Sequence, residues 1–283
     1  MQEASSPRQH SYPVIRIEPS TGWVALQLRE LWIYRELLFF LAWRDVKVRY
    51  KQTVLGIAWA IIQPLFTMVV FTIIFGGLAR LNSDGTPYAL FSFTALVPWT
   101  FFANALSQGS NSLVGSAHLI KKVYFPRLAV PIATLLSAFI DFGLAFMVLI
   151  AMLLWFKVGF TLYILFLPLF FILAFVTALG MSLWLSALNV QFRDIRYVIP
   201  FAISLWQFAS PVIYSSAIIP GSWRVFYNLN PMVAVIDGFR WALLGTPAPP
   251  ALATILSAIM ATLVLISGAL YFRRTEKYFA DVV

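Results

Sequence analysis

Cysteine is absent from the 283 residues, which removes a disulfide framework, a thiolate metal site and a cysteine nucleophile together. The only two histidines, His10 and His118, are far apart and make no metal-ligand spacing; no metal site is expected. No glycine is followed by lysine, so the glycine-rich loop that cradles nucleotide phosphates is missing. No serine–histidine–aspartate or paired-carboxylate constellation stands out, and no catalytic residue is assigned. Charge is scarce as well. Only 11% of residues are charged, against roughly 25% in ordinary soluble domains. The first 30 residues are polar and carry Pro7, Pro13 and Pro19, with no apolar core after a basic start. No cleavable signal peptide is expected there, and the first spanning helix should act as the insertion signal.

What the chain has instead is hydrocarbon: 61% of its residues are hydrophobic, more than a soluble fold of this length could hide. A helix needs about 20 mostly apolar residues to cross a bilayer. Six stretches qualify: Val54–Leu78, Ala89–Leu106, Leu128–Phe156, Phe160–Leu188, Val198–Tyr214 and Pro250–Phe272. The expected fold is an all-α integral membrane protein with a polar tail over 1–30 and one transmembrane domain over 31–283. With the N-terminus inside, sixteen of the 20 lysines and arginines fall on the cytoplasmic face, leaving only Arg80, Lys157, Arg224 and Arg240 on the other. That bias fixes both termini in the cytoplasm. It also removes the nucleic-acid reading of the +9 net charge, because the basic residues flank spans beside an anionic lipid leaflet.

A seventh apolar run, Pro231–Leu244, has 14 residues and carries Asp237 and Arg240. Runs of that length suit a re-entrant or interfacial segment, and counting it as a span would move the basic C-terminal cluster outside. Ser215–Gly245 is therefore read as an external hairpin that dips into the membrane, with Asp237 and Arg240 at pairing distance on a helix.

Four further segments could carry mechanism. Leu37–Lys51 reads as an amphipathic interface helix, with Phe39, Trp43, Val46 and Tyr50 on one side and Arg44, Lys47 and Lys51 on another. Asp45 and Arg49 are spaced as an i,i+4 pair. It is either a simple anchor or a lever that touches a cytoplasmic partner. Gly115–Arg127 mixes Leu119, Ile120, Val123, Tyr124 and Phe125 with Lys121 and Lys122. Such residues lie on the membrane or dock into another protein. The short connection Asn189–Tyr197 gathers Arg193, Asp194 and Arg196, as a solvated turn or a second contact. Asp141 sits mid-span, where an ionised side chain costs about 2.5–3.5 kcal/mol and must face protein or water. No other span offers it a charged partner, so structural hydrogen bonding is the leading reading, ahead of a water path or a proton relay. Aromatics inside the first and fifth spans, Trp59 and Phe66 and then Phe201, Trp206 and Phe208, are lipid-facing, core or sugar-facing.

Several segments together resemble one family. Trp43–Leu65 (WRDVKVRYKQTVLGIAWAIIQPL), Lys122–Pro131 (KVYFPRLAVP), Ala209–Ser215 (ASPVIYS) and Leu229–Gly245 (LNPMVAVIDGFRWALLG) look like the permeases of type-2 ABC exporters that move O-antigen and teichoic acid chains. The resemblance covers roughly Glu30 to Phe272. It implies a homodimer of six-span subunits above two copies of a separate cytoplasmic ATPase, which would bind ATP and Mg; this chain would hold no cofactor and be no enzyme. The Leu37–Lys51 helix would be the gate helix and Gly115–Arg127 the coupling segment. Leu119, Ile120, Lys121, Lys122, Tyr124, Phe125, Arg127, Arg193 and Asp194 would meet the ATPase. The hairpin, with Trp223, Asp237 and Arg240, would form the periplasmic gate. Trp59, Phe66, Phe201, Trp206 and Phe208 would line a channel. The substrate would be a polyprenyl-diphosphate-linked polysaccharide in the inner membrane, with Arg44, Lys47, Arg49 and Lys51 placed to attract its diphosphate; topology alone explains these four equally well. The rivals are teichoic acid or capsule export, export of drugs or small lipids, a membrane-bound transferase, and a non-catalytic scaffold.

Overall fold

The computed structural model describes residues 28–51, 56–159, 161–192, 194–276 and 279, and the side chains from residue 31 onward. The polar tail, apart from its last residues, and Arg193 lie outside them. Every regular element among the described residues is helical. A short α1 (Leu28–Ile33) leads into α2 (Arg35–Tyr50). The first long element begins with a turn of 3₁₀ helix at Gly56–Ala58, continues as α3 (Trp59–Phe71) and ends as a π-helix, Thr72–Leu78. Then come α4 (Tyr88–Gly115), α5 (Ala117–Lys122) and α6 (Ala129–Trp155). A 3₁₀ segment, Leu162–Phe166, opens α7 (Leu167–Gln191). The remainder is α8 (Ile195–Phe208), a 3₁₀ turn at Ser216–Ile218, α9 (Arg224–Asn228), α10 (Pro231–Leu244) and α11 (Ala251–Glu276).

Five helical stretches are long and apolar enough to cross a membrane: Gly56–Leu78, Tyr88–Gly115, Ala129–Trp155, Leu162–Gln191 and Ala251–Glu276. The second outruns its predicted limits by nine residues at its C-terminal end. Ser107, Ser110 and Ser112 made that end read as polar, yet Ser110 and Ser112 turn their hydroxyls back onto carbonyls three residues earlier, at 2.9 and 2.6 Å. A helix that satisfies its own hydroxyls can continue through an apolar core. The predicted fifth span, Val198–Tyr214, is helical only to Phe208. Fourteen residues rise about 21 Å, short of a hydrocarbon layer of about 30 Å. Beyond Phe208 the chain unwinds through turns over residues 209–215, where Pro211 removes a backbone donor.

α4 is the axis of the bundle. In its most apolar window 78% of residues are buried inside the protein, against 11% for Gly56–Leu78. It packs on α3, α6, α7, α8 and α10. Phe101 of α4 meets Phe139 and Phe142 of α6 and Phe171 of α7 with ring centroids 4.8–5.7 Å apart, the edge-to-face and tilted geometries that aromatic pairs favour.

The most extensive helix pair is α7 with α11, which cross over Gly180 and Gly268. A Cβ at Gly268 would lie 2.4 Å from the Gly180 carbonyl oxygen, and one at Gly180 would lie 2.6 Å from the Leu265 amide nitrogen. Backbones approach this closely only where side chains are missing. Gly268→Val is therefore expected to push the helices apart at a cost of about 1–3 kcal/mol, read as a lower melting temperature in detergent. Gly143→Ala, whose Cβ would meet nothing within 4 Å, should melt with the wild type.

α2 and the end of α11 gather at one end of the bundle. Leu41 of α2, Ile120 of α5, Val190 of α7, Phe272 of α11 and Phe279 form one buried cluster there. α9 and α10 lie at the opposite end, against the start of α4 and the broken end of α8.

Candidate functional site

Three places concentrate polar or charged groups. The first is the seam between α2 and α6. Arg49 donates to the Asp141 carboxylate and to Gln108 Oε1, and also to Ser137 Oγ at 3.1 Å. Tyr50 Oη donates to the other Asp141 oxygen. One turn earlier, Asp45 accepts from Arg44 at 2.8 Å and from Thr134 Oγ1 at 3.1 Å, and Arg44 reaches Ser116 Oγ at 3.4 Å. Asp141 thus faces protein, as its mid-span position demanded, but its partner comes from α2 rather than from another span.

This corrects one expectation. Asp45 and Arg49 do not pair along α2, because Asp45 is held by Arg44 and Thr134 and Arg49 by Asp141. Of the predicted apolar side of α2, Phe39 and Trp43 are exposed and Val46 is half-buried, while Tyr50 turns to Asp141; Leu37, Leu38 and Leu41 face the bundle. Of the four cations predicted to attract an anion, Arg44 and Arg49 are held by carboxylates, whereas Lys47 and Lys51 are exposed. Lys47 stands over the Trp43 ring at 5.8 Å.

The second place is the α5 segment. Its residues divide by burial. Ile120 and Phe125 are core, and Leu119 packs against them. Lys121, Lys122, Val123 and Tyr124 are exposed and surround a depression of about 210 Å³. Arg127 faces inward and donates to the Glu276 carbonyl, tying this end of α6 to α11. Asp194 is exposed at the N-cap of α8.

The third is the break after α8, whose freed carbonyls are captured one by one. Phe208 O accepts from Tyr214 Oη at 3.0 Å, and Ala209 O from Asn230 Nδ2 at 3.3 Å. Val212 O and Tyr214 O accept from the Arg240 guanidinium at 3.1 and 3.2 Å, and Ile213 O from Tyr88 Oη at 2.6 Å. Ser215 Oγ donates to Asp84 at 2.8 Å. Arg240 is buried; its Nε donates to Phe91 O at 3.4 Å, and its Cζ lies 3.5 Å over the Phe91 ring. Buried backbone groups freed from a helix need partners of this kind in a medium without water.

With its N–H groups given to carbonyls, Arg240 attracts Asp237 through space rather than by a direct hydrogen bond, and Asp237 is bonded by Ser216. The expected i,i+3 pair is therefore only electrostatic. Burial pushes the Tyr227 phenol well above its usual range, so it remains a donor, to Tyr214 Oη at 3.3 Å. Trp223 is exposed on the hairpin.

Of the aromatics assigned to a channel, Trp59, Phe66, Phe201 and Phe208 point out of the subunit. Trp206 instead packs against Phe102 and donates to Asn230 Oδ1 at 2.9 Å. It belongs to the break, and the sequence carried no sign of this beyond the nearby Pro211. The capturing roles of Tyr88 and Asn230 were likewise unmarked.

A helical bundle with five membrane-length apolar stretches, an acid tethered in mid-span and a helix broken among buried polar groups defines a polytopic membrane protein. The model of the ABC-2 type transporter family matches residues 36–244, and the chain belongs to that family of transporter membrane domains. It is similar to an O-antigen export system permease protein RfbA of Myxococcus xanthus, with 26% identity over 90% of this chain and 98% of that protein. A protein of the same name from Klebsiella pneumoniae is 31% identical over 72% of this chain and 79% of its own length. The polysialic acid transport protein KpsM of Escherichia coli is 22% identical over 71% and 78%.

Proposed function

We propose that this chain is the transmembrane subunit of an exporter of O-antigen-type polysaccharide carried on a polyprenyl diphosphate, working across the cytoplasmic membrane. The single observation that carries the reading is the match to permeases named for O-antigen export, one of them over nearly its whole length. Two copies of the chain assemble with two copies of a separate ATPase, which brings ATP and Mg. The first span, barely buried within its own subunit, with Trp59 and Phe66 outward, and the outward Phe201 and Phe208 of α8 offer the surface for that dimer.

The chain crosses six times with both termini in the cytoplasm, α8 and its break making the fifth crossing. α9 and α10 form a re-entrant hairpin at the periplasmic side. Three things support this: the crowding of cations at one face, the meeting of Leu41, Phe272 and Phe279 at one end of the bundle, and the position of α10 at the other. Exposed Lys47 and Lys51 are the cations free to meet the diphosphate, and exposed Lys121, Lys122, Val123 and Tyr124 meet the ATPase.

Deleting the gene is expected to leave lipid-linked polymer at the cytoplasmic face and none at the surface. Normal surface polymer in the deletion strain, with no paralogue present, would contradict the reading. For the contact itself, Tyr124→Asp with Val123→Asp should cut the ATPase recovered by co-purification about tenfold, the loss expected on placing charge in an apolar interface core. The melting temperature should hold, because both side chains are exposed. Ile120→Asp is expected to lower the protein level instead, because Ile120 is core.

A further inference from the structure

α8 packs on α4 and α7 and stands off α11. The gap between them holds a crevice of about 470 Å³. Thr177 and Met181 of α7 form its back, Met260 and Val264 of α11 one wall, and Trp206 of α8 with Ala209 just past its end the other. Phe226, Tyr227 and Asn230 of the hairpin roof it. The polar atoms of this lining are already used. Thr177 Oγ1 donates to Leu173 O at 2.7 Å, Tyr227 Oη to Tyr214, and Trp206 Nε1 to Asn230, whose amide is taken by Ala209 O and Ser210. What remains toward the open space is thioether, methyl and aromatic carbon. Such a space holds no ordered water, which needs two to four polar partners, and offers nothing to a sugar or a phosphate.

On the same helix as the Met260 and Val264 wall, Ile255, Ile259, Leu263 and Ile266 are exposed, an apolar stripe on a helix of membrane-spanning length. In a bilayer, hydrocarbon bathes that stripe beside the crevice wall. Each methylene that moves into a dry apolar site from an equally apolar bilayer gains through close contact rather than dehydration. We infer that the crevice between α8 and α11 is a binding site for a phospholipid acyl chain, which fills the space under the hairpin and separates the broken helix from α11.

The test uses the full chain in phospholipid nanodiscs, with Met260 replaced by p-benzoylphenylalanine in one sample and Ile259 in another. Illumination followed by mass spectrometry should find phospholipid adducts at both positions. Ala209→Phe fills the crevice from the α8 wall, and its adduct yield at position 260 should fall about tenfold while that at 259 holds, because the added ring leaves no room for the chain. Val264→Phe fills from the opposite wall and should act alike. An adduct at 260 that is insensitive to both fillings overturns the inference, as does an adduct to a peptide of a second copy. Displacement of the phospholipid adduct by a few mole per cent of polyprenyl phosphate also overturns it, since the site would then belong to the carrier.

Discussion

Replacing Asp141 by alanine should lower the stability of the protein in detergent by about 3 kcal/mol, the low end for breaking a buried ion pair from one side. The carboxylate is the anion that Arg49 meets in the span, at a place where both side chains are mostly shielded. Without it the guanidinium keeps only Gln108 and Ser137, and Tyr50 loses an acceptor. Arg49→Met should cost a similar amount by stranding the acid. The double variant Arg49→Met, Asp141→Leu should regain most of the loss, because apolar side chains of similar volume often replace a buried pair at little cost. Thermal melts of the wild type, Arg49→Met, Asp141→Leu and this double variant give the coupling directly. If Asp141→Ala melted with the wild type, the seam would be hydrated and the tether of α2 to α6 would be idle.

Arg240→Ala should be at least as damaging, about 3–5 kcal/mol. It frees Val212 O, Tyr214 O and Phe91 O at once, inside protein and away from water. Arg240→Lys should recover only part, since one ammonium cannot span carbonyls that a planar fork reaches together. The damage should be local before it is global. Limited proteolysis is expected to cut first within 209–230, where the break and hairpin lose their tie to α4. Equal cutting of wild type and Arg240→Ala, with equal melts, would show that Tyr88 and Asn230 suffice.

The apolar runs were enough to read α3, α4, α6, α7 and α11, because a stretch of some 20 carbon-rich residues has few alternatives to crossing a bilayer. Hydropathy failed where the backbone departs from the helix. Ala209–Ser215 is nearly as apolar as the span before it, so only Pro211 marked the unwinding, and a proline alone does not separate a kink from a break. Long-range pairing was illegible for a different reason. Asp141 announced a cost but not a creditor: Arg49 lies 92 residues away, on an element whose own spacing offered Asp45 as the nearer answer. The Gly115–Arg127 segment was half legible. Its mixture of apolar and basic residues was evident, but which of Ile120 and Tyr124 faced inward depended on where α5 sat against α7 and α11.

The captured break also constrains how the chain can be made. Its carbonyls are held by Tyr88, already synthesised, and by Asn230 and Arg240, which leave the ribosome some 15 to 30 residues after the break itself. Until those two arrive, the nascent chain carries bare acceptors at the edge of a bilayer. A chain stalled with residue 215 just clear of the ribosome should therefore linger in the insertion machinery and be a preferred substrate for membrane proteases, whereas one stalled with residue 245 clear of it should not.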